Sequence, residues 1–275
     1  MKKIFLITTL IIIAQTNYSQ NTEEVYMNSG KSKYNSKDYY GAISDFTKVI
    51  QINPKNWSAY GRSGLAKAKL KDYANAISDY SKAIKINPRS SEIYYNRGIS
   101  KSNSKDYYGA ISDFTKAIEI NPRDWSAYVN RGIAKDELKD YYGAISDFTK
   151  AIQINPSSDE DTYSNRGTSK GNLKDYYGAI SDFTKAIEIN PRNWRAYNDI
   201  GLSKFDLKDY YGAISNYTKA IEINPRYGLA YFGRGISKYY LGNYVGACKD
   251  VHKAQSLGGI DPTLNAQGFI NSNCN

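Results

Sequence analysis

The strongest constraint on this chain is a block of seventeen residues that keeps returning. It reads Asp106-Tyr107-Tyr108-Gly109-Ala110-Ile111-Ser112-Asp113-Phe114-Thr115-Lys116-Ala117-Ile118-Glu119-Ile120-Asn121-Pro122, and it recurs nearly unchanged from Asp140, Asp175 and Asp209. Looser copies end at Pro54 and Pro88, and a last copy without its proline starts at Asn243. The closing prolines stand 34 residues apart, with one step of 35 between Pro156 and Pro191. Self-similarity at such a period belongs to a stack of one small unit, each copy burying its apolar face against the next. A chain of 275 residues would otherwise be read as one or two globular domains. Here the expected core runs between neighbours and has no single centre.

Each copy reads as two helices. The second starts at a residue able to cap free N–H groups: Asp38, Asp72, Asp106, Asp140, Asp175, Asp209, and Asn243 in the last copy. Apolar residues then follow at steps of three and four, as in Tyr39, Ala42, Ile43, Phe46, Val49 and Ile50. Asn-Pro closes the helix, because the residue before proline is pushed out of the α region. The preceding helix carries an aromatic residue and, four residues on, a glycine: Tyr60 and Gly64, Tyr94 and Gly98, Tyr128 and Gly132. Gly98 and Ala110 are small enough to let paired helices approach, with Phe114 and Tyr94 filling the space around them.

This pattern resembles the tetratricopeptide repeat, whose consensus is W-x2-L-G-x2-Y, A-x3-F and P over 34 residues. Gly98, Ala110, Phe114 and Pro122 match it and Tyr94 supplies the aromatic ring at the tryptophan position, while Arg97 stands where leucine is usual and Lys101 where tyrosine is usual. The resemblance implies an all-α, right-handed superhelical solenoid of about seven helix-turn-helix units. They are expected over 23–56, 57–90, 91–124, 125–159, 160–193, 194–227 and 228–257, with a C-terminal cap over 258–275. Arg97, Arg131, Arg166 and Arg234 occur in copies whose second helix holds Asp113, Asp147, Asp182 and Asp250, and in the sixth copy both change together, to Ile200 and Asn216. That covariation predicts an arginine–aspartate pair between the two helices of one repeat. Ser29 and Ser63 stand opposite Asp45 and Asp79, where a hydroxyl can hydrogen-bond instead.

Outside the repeats, Lys2 and Lys3 precede an apolar run from Ile4 to Ala14 and then a polar stretch to Gln20. This three-part layout reads as a secretory signal peptide over 1–20, too short to span a bilayer, and so predicts export to the periplasm or cell envelope, or secretion. No other segment reads as transmembrane. The two cysteines, Cys248 and Cys274, are expected to pair as a disulfide in an oxidising compartment. The formal charge of +10 becomes +8 once Lys2 and Lys3 leave, but the lysines and arginines are interspersed with acids, as on a solvated surface.

No catalytic constellation is legible. His252 is the only histidine, HExxH, G-x-S-x-G and phosphate-loop motifs are absent, and Asp159-Glu160-Asp161 lacks the spacing of a calcium loop. A non-enzymatic binding scaffold without cofactor or metal is the expectation. The resemblance implies that the first helices line a concave floor that binds a peptide or protein segment. On this sequence that floor comprises Asn28, Arg62, Asn96, Asn130, Asn165 and Asp199, with Tyr95, Val129, Ser164 and Asn198 beside them. Asparagine both donates and accepts, so a ladder of it can bond an extended backbone. Toward the C-terminus the floor turns apolar at Phe205, Phe232, Ile236 and Tyr239. A second repeated feature is the tyrosine after the first of each pair: Tyr40, Tyr108, Tyr142, Tyr177 and Tyr211. These rings either pack between repeats with the hydroxyl wet or form an aromatic edge for a partner or a sugar face. Alternatives to peptide binding are carbohydrate or peptidoglycan binding and self-assembly, whereas nucleic acid is not an expected partner.

Overall fold

The computed structural model describes residues 21–156, 160–259 and 274. The leader at 1–20, nearly all of the expected cap and Asp159 of the acidic cluster lie outside the described residues. Among the described residues every regular element is an α-helix. They are α1 (21–35), α2 (Tyr39–Ile52), α3 (Trp57–Lys69), α4 (Tyr73–Ile86), α5 (Ser91–Asn103), α6 (Tyr107–Ile120) and α7 (Trp125–Glu137), then α8 (Tyr141–Ile154), α9 (Glu160–Asn172), α10 (Tyr176–Ile189), α11 (Trp194–Asp206), α12 (Tyr210–Ile223), α13 (Gly228–Tyr240) and α14 (Tyr244–Ser256). The chain forms two compact units, one ending at Ala134 and one beginning at Lys135. Each is a stack of antiparallel helix pairs, so the fold is an all-α helical-repeat solenoid.

Local chemistry sets each helix boundary. Asp106 accepts the Gly109 N–H at 3.0 Å, and Asp38, Asp140, Asp175, Asp209 and Asn243 do the same for the glycine three residues on. At the other end Asn121 leaves the α region (φ −129°, ψ 87°), as the residue before Pro122 must. The turn joining the two helices was not anticipated. Lys37, Lys71, Lys105, Lys139, Lys174 and Lys208 all sit in the left-handed region, with φ between 61° and 66°. In the last copy the corresponding residue is Gly242, at φ 79°. Around Lys105 the Asp106 N–H reaches back to the Lys101 carbonyl (2.9 Å) and the Lys105 N–H to that of Ser102 (2.9 Å). This is the bonding of a helix C-terminus closed by a left-handed residue, a place glycine usually takes.

Packing explains the small residues. A Cβ at Gly98 would stand 2.7 Å from the Phe114 ring, so α5 and α6 approach as closely as they do only because that side chain is missing. The core lies between repeats: Ala76, Tyr80 and Ala83 of α4 pack with Ile93 of α5, and Ala179, Phe183 and Ala186 of α10 with Ala196 and Ile200 of α11. Each buried ring of this kind stabilises the stack by roughly 1.5–3 kcal/mol. Removing one repeat therefore strips part of the core from its neighbours.

Candidate binding faces

Beneath the surfaces lies a repeated polar clasp that fixes how each pair of helices meets. In the first unit Arg97 donates from Nε and Nη2 to Asp113 (2.8 and 2.6 Å), and Lys101 Nζ lies 2.8 Å from the same carboxylate. Arg97 Nη1 also donates to Ser81 Oγ (2.9 Å), one repeat earlier. Arg166 repeats the arrangement in the second unit with Asp182, Lys170 and Thr149, and Arg234 with Asp250, Lys238 and Thr218. Where arginine is absent, Ser29 and Ser63 donate to Asp45 and Asp79 at 2.6 and 2.7 Å, and Lys33 and Lys67 complete the site. Burial alone would raise the carboxyls of Asp45 and Asp250. The donors around them, Lys33 and Ser29 or Arg234 and Lys238, outweigh it and hold both below the usual carboxylate range.

The sequence reading found the arginine in this clasp and missed the lysine. The signal was present, since lysine replaces the usual tyrosine in every copy: Lys33, Lys67, Lys101, Lys135, Lys170, Lys204 and Lys238. In the sixth copy, which has lost the aspartate, Lys204 turns instead toward Asp209 at 3.8 Å. These charges are structural, and the basic residues of the first helices are therefore largely occupied.

On the first-helix face of the first unit, α3 and α5 leave a cleft lined by Trp57, Ser58, Gly61, Arg62, Leu65, Glu92, Ile93 and Asn96. It brings together two of the expected floor residues, Arg62 and Asn96. It adds Trp57 and Glu92, which sequence reasoning did not single out for binding. The cleft offers an indole and aliphatic surface, one cation, one anion and one amide within a single opening, which suits a peptide side chain together with its backbone. Asn28 stands exposed on α1. Asn130 is occupied, its Nδ2 donating to the Tyr95 hydroxyl (3.1 Å) and to the Ser126 carbonyl (2.9 Å). Tyr95 itself rests against Phe114 with ring centroids 5.9 Å apart, and burial raises its hydroxyl.

In the second unit Asn165 is half-buried on α9, whereas Asn198 is buried and donates to Asp199 Oδ1 at 2.9 Å. Burial raises the Asp199 carboxyl, and the Asn198 hydrogen bond and the charge of Arg195 only partly offset it. Ser164 Oγ is buried with no partner among the described residues. The apolar end of the floor is an aromatic cluster: Phe205 meets Tyr210 and Tyr240, Tyr210 stacks on Tyr240 at 4.9 Å, and Tyr239 abuts both Tyr240 and Tyr244.

The edge tyrosines are the most exposed large hydrophobic side chains of the second helices apart from Val245. Tyr40, Tyr108 and Tyr211 are 76% accessible and Tyr142 and Tyr177 77%, which excludes rings packed between repeats. Cys248 and Cys274 form a disulfide (S–S 2.07 Å, Cα–Cα 5.4 Å), tying α14 to the end of the chain. Among the described residues no helix is long and apolar enough to cross a membrane, and no cluster of three or more histidine, cysteine or acidic side chains could hold a metal.

Comparison with known proteins agrees with this geometry. No curated protein matches the chain. Among solved structures, the MamA protein shares 25% identity over 63% of this chain and 94% of its own, with a TM-score of 0.59. A tetratricopeptide repeat protein from Parabacteroides merdae ATCC 43184 shares 18% over 93% of this chain and 100% of its own (TM-score 0.66). YrrB, described as a TPR protein with an unusual peptide-binding site, shares 21% over 70% of this chain and 97% of its own (TM-score 0.59). Family models described as tetratricopeptide repeat match residues 23–56, 91–124, 125–158, 160–193 and 195–227, and one described as TPR repeat matches 64–101. With those segments covering most of the chain and the helix pairs in place, the protein belongs to the tetratricopeptide-repeat family.

Proposed function

We propose that this protein is a non-enzymatic interaction scaffold of the cell envelope that holds an extended segment of a partner protein against its first helices. The observation that carries this reading is the α3–α5 cleft, where Arg62, Glu92 and Asn96 surround Trp57 and Leu65 on the face formed by the first helices. An opening with one indole wall and three different polar groups can seat one side chain and fix the backbone on either side of it. Membership in a family of protein-binding scaffolds supports the reading. The peptide-binding site described for YrrB belongs to that protein; in this chain it is the α3–α5 cleft that offers a place for a peptide. The envelope location follows from the Lys-Lys and apolar leader and from cysteines poised to pair in an oxidising compartment.

The test is capture of a partner from cell-envelope extract on the immobilised protein, with Arg62→Ala/Asn96→Ala as the control bait. Both positions are only partly buried or exposed, so the fold survives the change. One protein retained by the parent and lost by the variant supports the cleft. Equal retention by both baits rejects it.

A further inference from the structure

We propose that the outer edge of the second helices in the second unit is a glycan-binding face, distinct from the first-helix cleft and independent of it. The starting observation is a mismatch between repetition and burial. From Tyr to Ile, α6, α8, α10 and α12 carry almost the same sequence, while the first helices between them keep only the residues of the clasp and the close helix contact and vary elsewhere. Packing accounts for the repeated Ala110, Asp113 and Phe114, which are buried. It does not account for Tyr142, Tyr177 and Tyr211, whose rings stand in solvent on three successive second helices and whose hydroxyls meet no partner among the described residues. In the first unit the row is shorter, with Tyr40 and Tyr108 separated by Ala74. The second unit therefore carries the fuller site.

What accompanies each ring narrows the partner. One turn along, on the same helix face, comes an exposed serine: Ser146, Ser181 or Ser215. A further turn along comes a lysine, and on α10 and α12 it is neutralised by its own helix, Lys185 to Glu188 at 2.6 Å and Lys219 to Glu222 at 2.9 Å. Each repeat thus presents one aromatic face and one hydroxyl, with a charge-balanced pair beyond them on α10 and α12; on α8 Gln153 takes the place of the glutamate and Lys150 keeps its charge. The stripe has no contiguous apolar patch for a protein surface, and its single unbalanced cation, Lys150, is too little for a polyanion. It suits a polyhydroxylated ring, whose C–H face stacks on tyrosine while its hydroxyls bond to serine, to the tyrosine hydroxyl and to the lysine–glutamate pair. The same ring and hydroxyl in register on α8, α10 and α12 address a partner that also repeats. The geometry therefore points to a linear, weakly charged polysaccharide strand, each tyrosine meeting one of its sugars.

Co-sedimentation of the full chain with two probes tests this: protein-free peptidoglycan sacculi and an insoluble polymer of β-1,4-linked N-acetylglucosamine. The expected result is retention by at least one, at least tenfold weaker for Tyr142→Ala/Tyr177→Ala/Tyr211→Ala, with unchanged circular dichroism and melting. Tyr→Phe at the same three positions should cost less than threefold, because the ring face remains. Retention by sacculi alone assigns the strand to cell wall, and retention by both assigns it to amino-sugar glycans in general. The Arg62→Ala/Asn96→Ala variant should sediment like the parent, which separates failure here from failure of the cleft. The proposal falls if neither probe retains the parent, or if the triple alanine variant is retained equally. It also falls if light scattering shows that the triple variant abolishes a dimer while sedimentation is unaltered, which would give the tyrosine row to a second copy of the chain.

Discussion

The left-handed lysines invite a direct energetic test. Replacing Lys105, Lys139, Lys174 and Lys208 with glycine should stabilise the protein, although glycine inside a helix normally does the reverse. A residue with a Cβ held at φ near 60° costs about 1–2 kcal/mol relative to the right-handed region. Glycine removes that cost but loses more backbone entropy on folding, about 0.5–1 kcal/mol. Removing a cation from the end of the first helix forfeits roughly 0.3 kcal/mol more. The balance is about 0.5 kcal/mol of stabilisation per site, or about 2 kcal/mol for four distant and additive sites. Urea unfolding reads this directly: with a slope of about 3 kcal/mol/M, the midpoint should rise by roughly 0.7 M. The last repeat supplies the converse, since Gly242 already occupies the left-handed position with open space around its Cα. Gly242→Ala should lower stability by about 1 kcal/mol. A lower midpoint in the fourfold variant, or a neutral Gly242→Ala, would refute the account.

The clasp gives a second prediction. Asp182→Ala leaves Arg166 and Lys170 facing each other without their carboxylate and should cost about 3 kcal/mol, whereas Arg166→Ile/Asp182→Asn, which copies Ile200 and Asn216, should cost markedly less in the same denaturation assay. Acid should weaken the fold through Asp45 and Asp250. Their folded carboxyls lie below the unfolded value of about 3.9, so their stabilisation is complete above that pH and is lost as pH falls through the folded values. Asp199 has the opposite sign: its carboxyl is raised by burial, so Asp199→Asn should raise the melting temperature at pH 7 and have no such effect at pH 3. Cys248→Ser/Cys274→Ser opens a loop spanning 26 residues and should cost about 3.5 kcal/mol in calorimetry under non-reducing conditions.

The fold was legible because two signals coincide in six of the seven copies, the aspartate that starts a helix and the Asn-Pro that ends one. Caps and proline act through the backbone within a few residues, so local sequence determines them. The arginine–aspartate contact was legible for another reason: the sixth copy changes both partners at once, which is a double substitution recorded inside the chain itself. The lysine of the clasp never varies with a partner in that way and left only its own constancy as a clue. The left-handed turn was hidden because lysine, not glycine, occupies it six times. At the binding faces, residue type alone could not say which side chains were already occupied. Asn130 and Asn198 look like rungs of a ladder in sequence, and only the neighbouring Tyr95 and Asp199 reveal where their amides point. Spacing turns the second tyrosine about 100° away from the first, but whether a neighbouring repeat covers it depends on tertiary packing that no local pattern encodes.

The clasp also has a gap. Arg166 joins α9 to Thr149 of the preceding repeat, and Arg234 joins α13 to Thr218, but at the sixth repeat the equivalent residue is Ile200. Thr184 donates its hydroxyl to the Ile180 carbonyl of its own helix, as Thr115 does to Ile111, but no arginine stands at position 200 to donate to it. Among the described residues, the seam between α10 and α11 therefore lacks the directional arginine bridge that its neighbours carry and relies on the apolar packing of Phe183, Ala186, Ala196 and Ile200. In a nearest-neighbour array, such a weak coupling divides one long cooperative transition into shorter ones. Residues 194–259 should then open and close as a block, so that amide protection steps down at Trp194 rather than declining gradually beyond it.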